Sequence, residues 1–271
     1  MNSSKFVCPV CSRPLVRDGK IYKCESNHSF DIARQGYVNL LSGASKGTHG
    51  DNKEMILSRK SFLDKGYYLP LANSLAKAVQ KEMPQEGVSY LDAGCGEGYY
   101  TEAIQKKLCC DCYGIDISKD ALIYASKRLS SARLAVASVY HMPFADSSFD
   151  LITSVFAPFE RDEYLRVLKR GGRCFMVIPG KEHLFELKSL IYDTPYKNQV
   201  APFEIEGFRL IRNTELSYKA TINSSADLHS LFAMTPYYYR TSERNKAKLI
   251  GIESLDITVN FIILGYEKIS E

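Results

Sequence analysis

The sequence predicts an α/β fold with a doubly wound, Rossmann-like parallel sheet, preceded by a small N-terminal metal-binding module. Apolar runs alternate with helix-like segments, and a glycine-rich turn directly follows one of these runs. A cluster of cysteines near the N-terminus predicts the module. With 271 residues, of which 45% are hydrophobic, the chain can fill a sizeable core and one additional small domain.

The glycine-rich turn is the strongest signal of a ligand site. It follows the apolar run that ends at Leu91 and contains Gly94, Gly96 and Gly98. Glycine enters positive-φ conformations at little cost and leaves room for a ligand to approach the backbone. A second apolar run reaches Asp116 about 20 residues further on, where doubly wound folds place the carboxylate that binds a ribose diol. The pattern predicts a nucleotide-type cofactor, with a purely structural loop as the alternative.

The spacing of the glycines distinguishes between cofactor classes. The dinucleotide fingerprint requires its third glycine at the position of Tyr99, whereas this chain has Gly98. A nicotinamide-dependent enzyme is therefore disfavoured. Asp92 opens the pattern Asp-x-Gly-x-Gly-x-Gly, which resembles that of the S-adenosylmethionine-dependent class I methyltransferases.

The chain after Asp116 continues the alternation of helix and strand. Ser118 is a suitable N-cap for a helix that runs through Lys127. Residues 149–155 and 174–178 predict two further buried strands, with a helix between them. In such a sheet, ligands bind at the carboxyl ends of the strands.

The N-terminal cysteines have the spacing of zinc ligands. Cys8 and Cys11 are followed after twelve residues by Cys24, and three further residues separate Cys24 from His28. Four such ligands on two short knuckles can form a tetrahedron around Zn²⁺, with a hairpin between the knuckles. Because the segment has few large apolar residues, the zinc would hold its fold. Two redox-active thiols or a chance cluster are the alternatives.

The other cysteines predict no chemistry of their own, since they lie in apolar runs or in the glycine turn. The sequence also shows no signal peptide and no apolar stretch long enough to span a bilayer. We therefore expect no membrane association and a reducing compartment, the cytoplasm.

Positive charge is concentrated near the N-terminus. Residues 1–66 contain eleven lysines and arginines against six acidic residues, whereas residues 67–271 contain 24 against 25. The surplus predicts an anionic partner, and the combination with a zinc module favours RNA over an ordinary basic surface.

The composition also predicts the domain boundaries. We expect a zinc-binding module at 1–35, a linker at 36–66 and the methyltransferase domain at 67–271. Within the linker, residues 41–51 are small, polar and glycine-rich, which predicts a mobile stretch. His49 is expected to be solvated there, with contact to RNA as the alternative.

Seven short motifs spread over nearly the whole chain carry a family resemblance. They are Cys8-x-x-Cys11, Cys24-x-x-x-His28-x-Phe30-Asp31, Gly36-Tyr37-Val38-Asn39-Leu40, Arg59-Lys60-x-Phe62-Leu63-Asp64-x-Gly66, Gly94-Cys95-Gly96-Glu97-Gly98-Tyr99-Tyr100, Pro179-Gly180-x-x-His183-Leu184-x-Glu186 and Met234-Thr235-Pro236. In this order they resemble the bacterial 23S rRNA guanine-N1 methyltransferases of the RlmA type.

The resemblance implies an enzyme that transfers a methyl group from S-adenosylmethionine to N1 of one guanine in a hairpin loop of 23S ribosomal RNA. It also implies that residues 208–217 and 255–266 are the closing antiparallel strands of the sheet. The resemblance implies that Tyr68, Glu97, Gly98 and His183 contact S-adenosylmethionine. Gly94 belongs to the glycine turn, and Asp116 is predicted to bind the ribose from its spacing alone. Tyr68 and His183 could instead pack or cap a helix, and Glu97 could be a solvated carboxylate of the turn.

The acceptor base has to lie in line with the methyl group. Phe156-Ala157-Pro158-Phe159 follows a strand of the predicted sheet, so either phenylalanine could stack on an extruded base, or both could belong to the core. The run Tyr237-Tyr238-Tyr239 is open to the same two interpretations. The sequence assigns no residue to accept the proton of guanine N1, and the catalytic residue is unknown.

Other function classes stay open from the sequence alone. One is a class I methyltransferase that acts on another RNA or on a small molecule, which would not need the basic module. The other is a zinc RNA-binding protein without activity, in which the glycine turn and Asp116 would not have to be intact. A homodimer is compatible with the sequence, which does not determine the oligomeric state.

Overall fold

The protein is described by a computed structural model that covers residues 3–41 and 50–269. Most of the stretch predicted to be mobile, residues 42–49 with His49, lies outside the described residues. The described chain forms a four-stranded N-terminal sheet and an eight-stranded central sheet. Among these residues, no helix has both the length and the apolar character needed to cross a bilayer.

The strands and helices follow the chain in this order. The N-terminal strands are β1 (Ser3–Val7), β2 (Pro14–Asp18), β3 (Ile21–Lys23) and β4 (Ser29–Asp31). The strands of the central sheet are β5 (Tyr37–Asn39), β6 (Val88–Ala93), β7 (Cys110–Asp116), β8 (Arg133–Val136), β9 (Phe149–Val155), β10 (Leu168–Pro179), β11 (Phe208–Ile222) and β12 (Leu255–Lys268). The helices are α1 (Lys53–Asp64), α2 (Leu69–Glu82), α3 (Tyr99–Gln105), α4 (Lys119–Arg128), α5 (Arg161–Val167), α6 (Phe185–Ile191), α7 (Ser225–Ala233), α8 (Tyr237–Arg240) and α9 (Glu243–Lys246).

The central sheet confirms the predicted fold class. Its strand order is β11-β12-β10-β9-β6-β7-β8-β5, and β5 to β10 run parallel while β11 and β12 pair antiparallel at one edge. The expected closing strands are present and extend a few residues beyond the predicted ranges. The chain moves outward from β6 through β7 to β8 and then returns to β9 on the other side of β6. This reversal leaves a crevice at the carboxyl ends of β6 and β9, where such sheets bind ligands.

The N-terminal sheet packs on the central sheet through Phe6. The Phe6 ring is buried, with ring centroids 5.5 Å from Tyr22, 5.4 Å from Tyr113 and 5.3 Å from Phe144. The backbone N–H of Val7 also donates to the carbonyl of Pro143 at 2.9 Å. One hydrophobic core therefore continues from the small sheet into the large one.

The range predicted as a linker, 36–66, contains two regular elements. Strand β5 pairs in parallel with β8 and buries Tyr37 and Val38 against the central sheet. Helix α1 buries Phe62 and Leu63 in the core on the opposite face. Much of this range is therefore ordered because it has apolar side chains to bury, while the domain boundaries themselves stay a prediction.

Asp92 joins three elements at the carboxyl end of β6. Its buried carboxylate accepts hydrogen bonds from the hydroxyls of Thr153 on β9, at 2.9 Å, and Thr101 on α3. Burial raises the pKa of Asp92 to about 6, and the two hydroxyl bonds oppose that shift. The charge of this carboxylate consequently costs folding free energy at neutral pH.

We expect the substitution Asp92→Asn to flatten the pH dependence of stability between pH 4 and 7. The pKa of Asp92 is raised in the folded state, so the folded protein retains a proton that the unfolded chain loses near pH 4. The contribution of Asp92 to stability should therefore fall by about 3 kcal/mol as pH rises through this window, and the stability difference between Asp92→Asn and wild type should change by that amount. Urea unfolding at a series of pH values measures the free energy of unfolding, and the substitution of the exposed Asp18 by Asn is the control. Parallel profiles for wild type and Asp92→Asn would contradict the assignment.

Candidate functional site

The four predicted zinc ligands converge in the N-terminal sheet. Cys8 and Cys11 lie on the knuckle between β1 and β2, and Cys24 and His28 lie on the turn between β3 and β4. Their ligand atoms all lie within 4.8 Å of one another. The two Sγ atoms of Cys11 and Cys24 are 3.7 Å apart, and His28 Nδ1 is 3.5 Å from the Sγ atoms of both Cys8 and Cys24. Tetrahedral zinc with ordinary bond lengths requires S···S and S···N separations of about 3.8 and 3.5 Å, so the cluster fits this metal.

The backbone prepares the first knuckle for metal binding. The Cys8 N–H donates to the carbonyl of Arg13 at 2.8 Å, and Ser12 N–H donates back to the Cys8 carbonyl at 2.8 Å. A hydrogen bond from the backbone of Arg13 lowers the pKa of the Cys11 thiol to about 6. Cys11 is thus mostly thiolate at neutral pH, which is the form that ligates zinc.

The three glycines of the turn between β6 and α3 serve different purposes. All have positive φ values, of +83° at Gly94, +54° at Gly96 and +84° at Gly98. A Cβ atom on Gly94 would lie 2.4 Å from Cβ of Ala157, and one on Gly98 would lie 2.8 Å from Leu129 Cδ1. On Gly96 the nearest neighbouring atom would be 3.9 Å away. Gly94 and Gly98 therefore allow close packing, whereas Gly96 borders the space that a ligand can enter.

Asp116 is fixed beside this turn at the end of β7. Its Oδ2 accepts the N–H of Gly96 at 2.9 Å, and its Oδ1 accepts the N–H of Ser118 at 2.7 Å. Burial raises the pKa of Asp116, and these two N–H bonds favour its charged form. A carboxylate has about four acceptor positions, so two remain for the hydroxyls of a ribose.

Several buried polar groups around the turn have no hydrogen-bond partner among the described residues. They are Tyr68 Oη, Glu97 Oε1 and Tyr100 Oη. Burial raises the pKa of Glu97. A buried polar atom without a partner costs free energy, which a bound polar ligand can recover. This set fits a nucleoside cofactor with polar ends.

His183 follows β10 and lies beside Phe261 and Tyr68. Its Nδ1 accepts the N–H of Asn260 at 3.3 Å, so the proton of the neutral ring is on Nε2. Burial lowers the pKa of His183 to about 3, and the imidazole is neutral throughout the physiological range. It can therefore donate one hydrogen bond and carries no charge in the crevice.

An aromatic wall, defined as Tyr68, Tyr100, Phe156, His183 and Phe261, lines the crevice. The ring of Phe261 on β12 lies 5.0 Å from Tyr68, 4.5 Å from His183 and 5.2 Å from Phe156 between centroids. Tyr100 lies 6.2 Å from Phe156. The ring of Phe156 completes the wall toward solvent, and that residue is 46% exposed with a φ of +55°.

The two phenylalanines that follow β9 lie in different environments. Phe159 packs against Tyr164 and Phe208, with centroid distances of 4.6 and 6.1 Å, and so belongs to the core. Phe156 belongs to the aromatic wall.

Sequence reasoning missed Tyr100 and Phe261 as members of this site. Tyr100 follows the glycine motif directly and could have been found, whereas Phe261 lies in an apolar strand and gives no separate signal.

The comparisons with known proteins agree with this geometry. Residues 6–48 match a family model described as the N-terminal zinc ribbon of RlmA, and residues 91–176 match a methyltransferase domain. The Bacillus subtilis protein YxjB is 33% identical over 96% of each chain. The 23S rRNA (guanine(748)-N(1))-methyltransferase of Streptomyces fradiae is 32% identical over 94% of this chain and 95% of its own.

The chain belongs to the RlmA-type family of 23S rRNA (guanine-N1)-methyltransferases. Membership in this family accounts for the zinc ribbon and the glycine turn in one chain. The solved structure of the [4+2]-cyclase SpnF covers 73% of this chain at 17% identity, with a TM-score of 0.50. That likeness shows the fold of the central sheet, which hosts more than one kind of chemistry.

We expect the purified protein to contain about one zinc per chain, because the ligand atoms already lie at tetrahedral spacing. The double substitution Cys8→Ser and Cys24→Ser should remove the metal, as elemental analysis of dialysed protein would measure. The pair Cys109→Ser and Cys110→Ser changes two cysteines outside the cluster and should retain the zinc. Equal zinc content in both double variants would rule out this site.

Proposed function

We propose that the chain transfers a methyl group from S-adenosylmethionine to N1 of one guanine in a hairpin loop of 23S ribosomal RNA. The observation that carries this proposal is that the glycine turn lies beside the aromatic wall: Gly94 closely approaches Ala157, the residue after Phe156, and the Tyr100 ring lies 6.2 Å from that of Phe156. A polar cofactor fits the open side of the glycine turn, and a flat base fits the exposed ring of Phe156. Membership in the family supports the reaction and its RNA substrate.

The residues proposed to hold the cofactor surround the turn. Asp116 would bind the ribose hydroxyls, and Gly94 and Gly98 hold the turn in the shape that exposes its backbone at Gly96. Tyr68 and Glu97 offer the unpartnered oxygens, and His183 offers Nε2–H from the aromatic wall. When bound, S-adenosylmethionine supplies a methyl group on a positively charged sulfur.

The acceptor side of the crevice is proposed to centre on Phe156. Its exposed ring can stack on a base that has left the RNA stack, and the rings behind it exclude water. The positive φ of Phe156 costs free energy in a non-glycine residue, a kind of strain that is typical of functional sites. Alignment of guanine N1 with the methyl group then supplies much of the rate.

A homodimer stays a prediction. We place the protein in the cytoplasm, since zinc thiolates and rRNA substrates both belong to a reducing compartment.

The proposed reaction is tested with tritiated S-adenosylmethionine and a 23S rRNA transcript, followed by primer extension, which stops at N1-methylguanine. Phe156→Ala should lower the turnover rate by about 10- to 100-fold, because the base can no longer stack on an aromatic ring. Cofactor affinity in calorimetry should change little. Phe159→Leu is the control, since it removes core packing and should lower stability while the turnover rate is kept. Labelling of small metabolites but not of 23S rRNA would reject the proposed substrate.

The basic strands of the zinc module are proposed to bind the RNA backbone. Arg17, Lys20 and Lys23 are exposed on β2, β3 and the turn between them, and Arg13 lies beside them in a solvent-exposed ion pair with Glu25 at 3.7 Å. A surface ion pair of this kind contributes little free energy, so Arg13 can exchange Glu25 for a phosphate.

We expect the quadruple exchange of these four basic residues for glutamine to weaken RNA binding. For every phosphate that the variant no longer neutralises, the slope of log K against log salt should decrease by about 0.7–0.9, because fewer counterions are released. Cofactor affinity should be unchanged. The matched control exchanges four exposed lysines of α2 and the α3 end, namely Lys77, Lys81, Lys106 and Lys107. An identical salt slope for the module variant and wild type would show that RNA binds elsewhere.

A further inference from the structure

Arg59 lies beside the glycine turn and is not among the residues proposed above to hold the cofactor. It is on α1, three residues after the buried Ile56 and four before the buried Leu63. Residues at this spacing share one face of a helix, so the arginine lies within the stripe that faces the protein. Only 26% of its side chain is exposed.

One end of the guanidinium is held by the segment that precedes α1. Arg59 Nη2 lies 2.5 Å from Asp51 Oδ2, and the Asp51 carbonyl accepts the Ser118 hydroxyl at 2.8 Å. A Cβ on Gly50 would lie 2.6 Å from Ile117 Cγ2, so this segment packs directly on the loop that follows Asp116. The arginine is therefore fixed in orientation next to the proposed ribose site.

The other end of the guanidinium faces the turn. Arg59 Nη1 is the atom that lies 3.9 Å from the position of a Cβ on Gly96, on the open side of the turn. Arginine carries five N–H donors in a planar fork, so an ion pair through Nη2 leaves Nη1 able to donate. The carboxylates of Asp51, Glu97 and Asp116 raise the pKa of Arg59, which keeps its positive charge.

A cation and an anion therefore stand on the same side of the glycine turn. Glu97 is almost fully buried, and its Oε1 has no hydrogen-bond partner in the described part of the chain. Arg59 is the first of the positive charges that act on Glu97. The pair is complementary to a zwitterion, and the amino-acid end of S-adenosylmethionine is a zwitterion with one carboxylate and one ammonium group.

We propose that Arg59 binds the α-carboxylate of S-adenosylmethionine and that Glu97 faces its α-ammonium group. This inference rests on the proposed function, since it concerns the same cofactor site. Asp116 would hold the ribose in the middle of the ligand, and Arg59 would select the amino-acid end. A guanidinium–carboxylate hydrogen bond between charged groups is among the stronger polar contacts, so Arg59 determines which nucleosides the site prefers. The competing role for Arg59 is to tether Asp51 without touching the cofactor.

The test measures the affinity of the full-length protein for three ligands by calorimetry. S-adenosylmethionine has the carboxylate, decarboxylated S-adenosylmethionine retains the ammonium and sulfonium groups without it, and 5′-methylthioadenosine lacks the whole amino-acid end. Wild type should bind the first most tightly. Arg59→Met should weaken S-adenosylmethionine binding by about 10- to 100-fold, as expected when a charge-assisted hydrogen bond is removed.

The same variant should bind 5′-methylthioadenosine like wild type and decarboxylated S-adenosylmethionine equally or more tightly, because a like charge has been removed. Arg59→Lys should retain part of the preference for the carboxylate, since it keeps the charge without the fork. Asp51→Asn removes the tether but keeps the guanidinium, and should bind S-adenosylmethionine within about threefold of wild type.

Two outcomes would overturn the inference, and they are distinguishable. If Arg59→Met weakens all three ligands equally, or if Asp51→Asn has the same effect as Arg59→Met, the arginine is a tether and the cofactor site itself stands. If wild type binds none of the three ligands, the proposed function fails and the inference fails with it.

Discussion

The reversal of strand order between β6 and β9 is the constraint on which the rest of the structure depends. At this point the loops after the two strands turn to opposite faces of the sheet and leave a crevice between them. Asp92 holds the edges of the crevice together from within, through the hydroxyls of Thr153 and Thr101. The turn above it can then present backbone to a ligand, because its shape is set by packing at Gly94 and Gly98. Cofactor and acceptor thus meet at a place that the topology creates.

Much of the fold and of the two sites could be predicted from local sequence. The glycine turn, Asp116 and the zinc ligands are recognisable because each needs a particular residue type at a fixed spacing. Strand β5 could not be predicted for a physical reason, since a three-residue edge strand draws its stability from the backbone of β8 and from the burial of Tyr37 and Val38. A pattern that short has no periodicity to detect.

The aromatic wall shows a different limit of sequence reasoning. Its five members come from the start of α2, from α3, from the loops after β9 and β10, and from β12, and only the completed sheet brings them together. Phe261 is one apolar residue among many in its strand. Phe261 differs from a core residue because its ring contacts His183 and Phe156. The backbone of Phe156 has a positive φ, and its ring is exposed. Arg59 could have been noticed, because a charged residue within the apolar stripe of a helix requires a partner.

The packing of Phe6 between the two sheets also bears on how a target nucleotide is chosen. Since the small sheet shares its core with the large one, its basic strands keep a constant distance and angle from the crevice. An RNA stem bound on those strands would bring into the crevice only the nucleotide whose distance from the stem equals the distance from the strands to the crevice. If RNA binds those strands as proposed, the fixed distance between strands and crevice would select among neighbouring guanines by their position along the folded RNA, with few contacts to the bases in between.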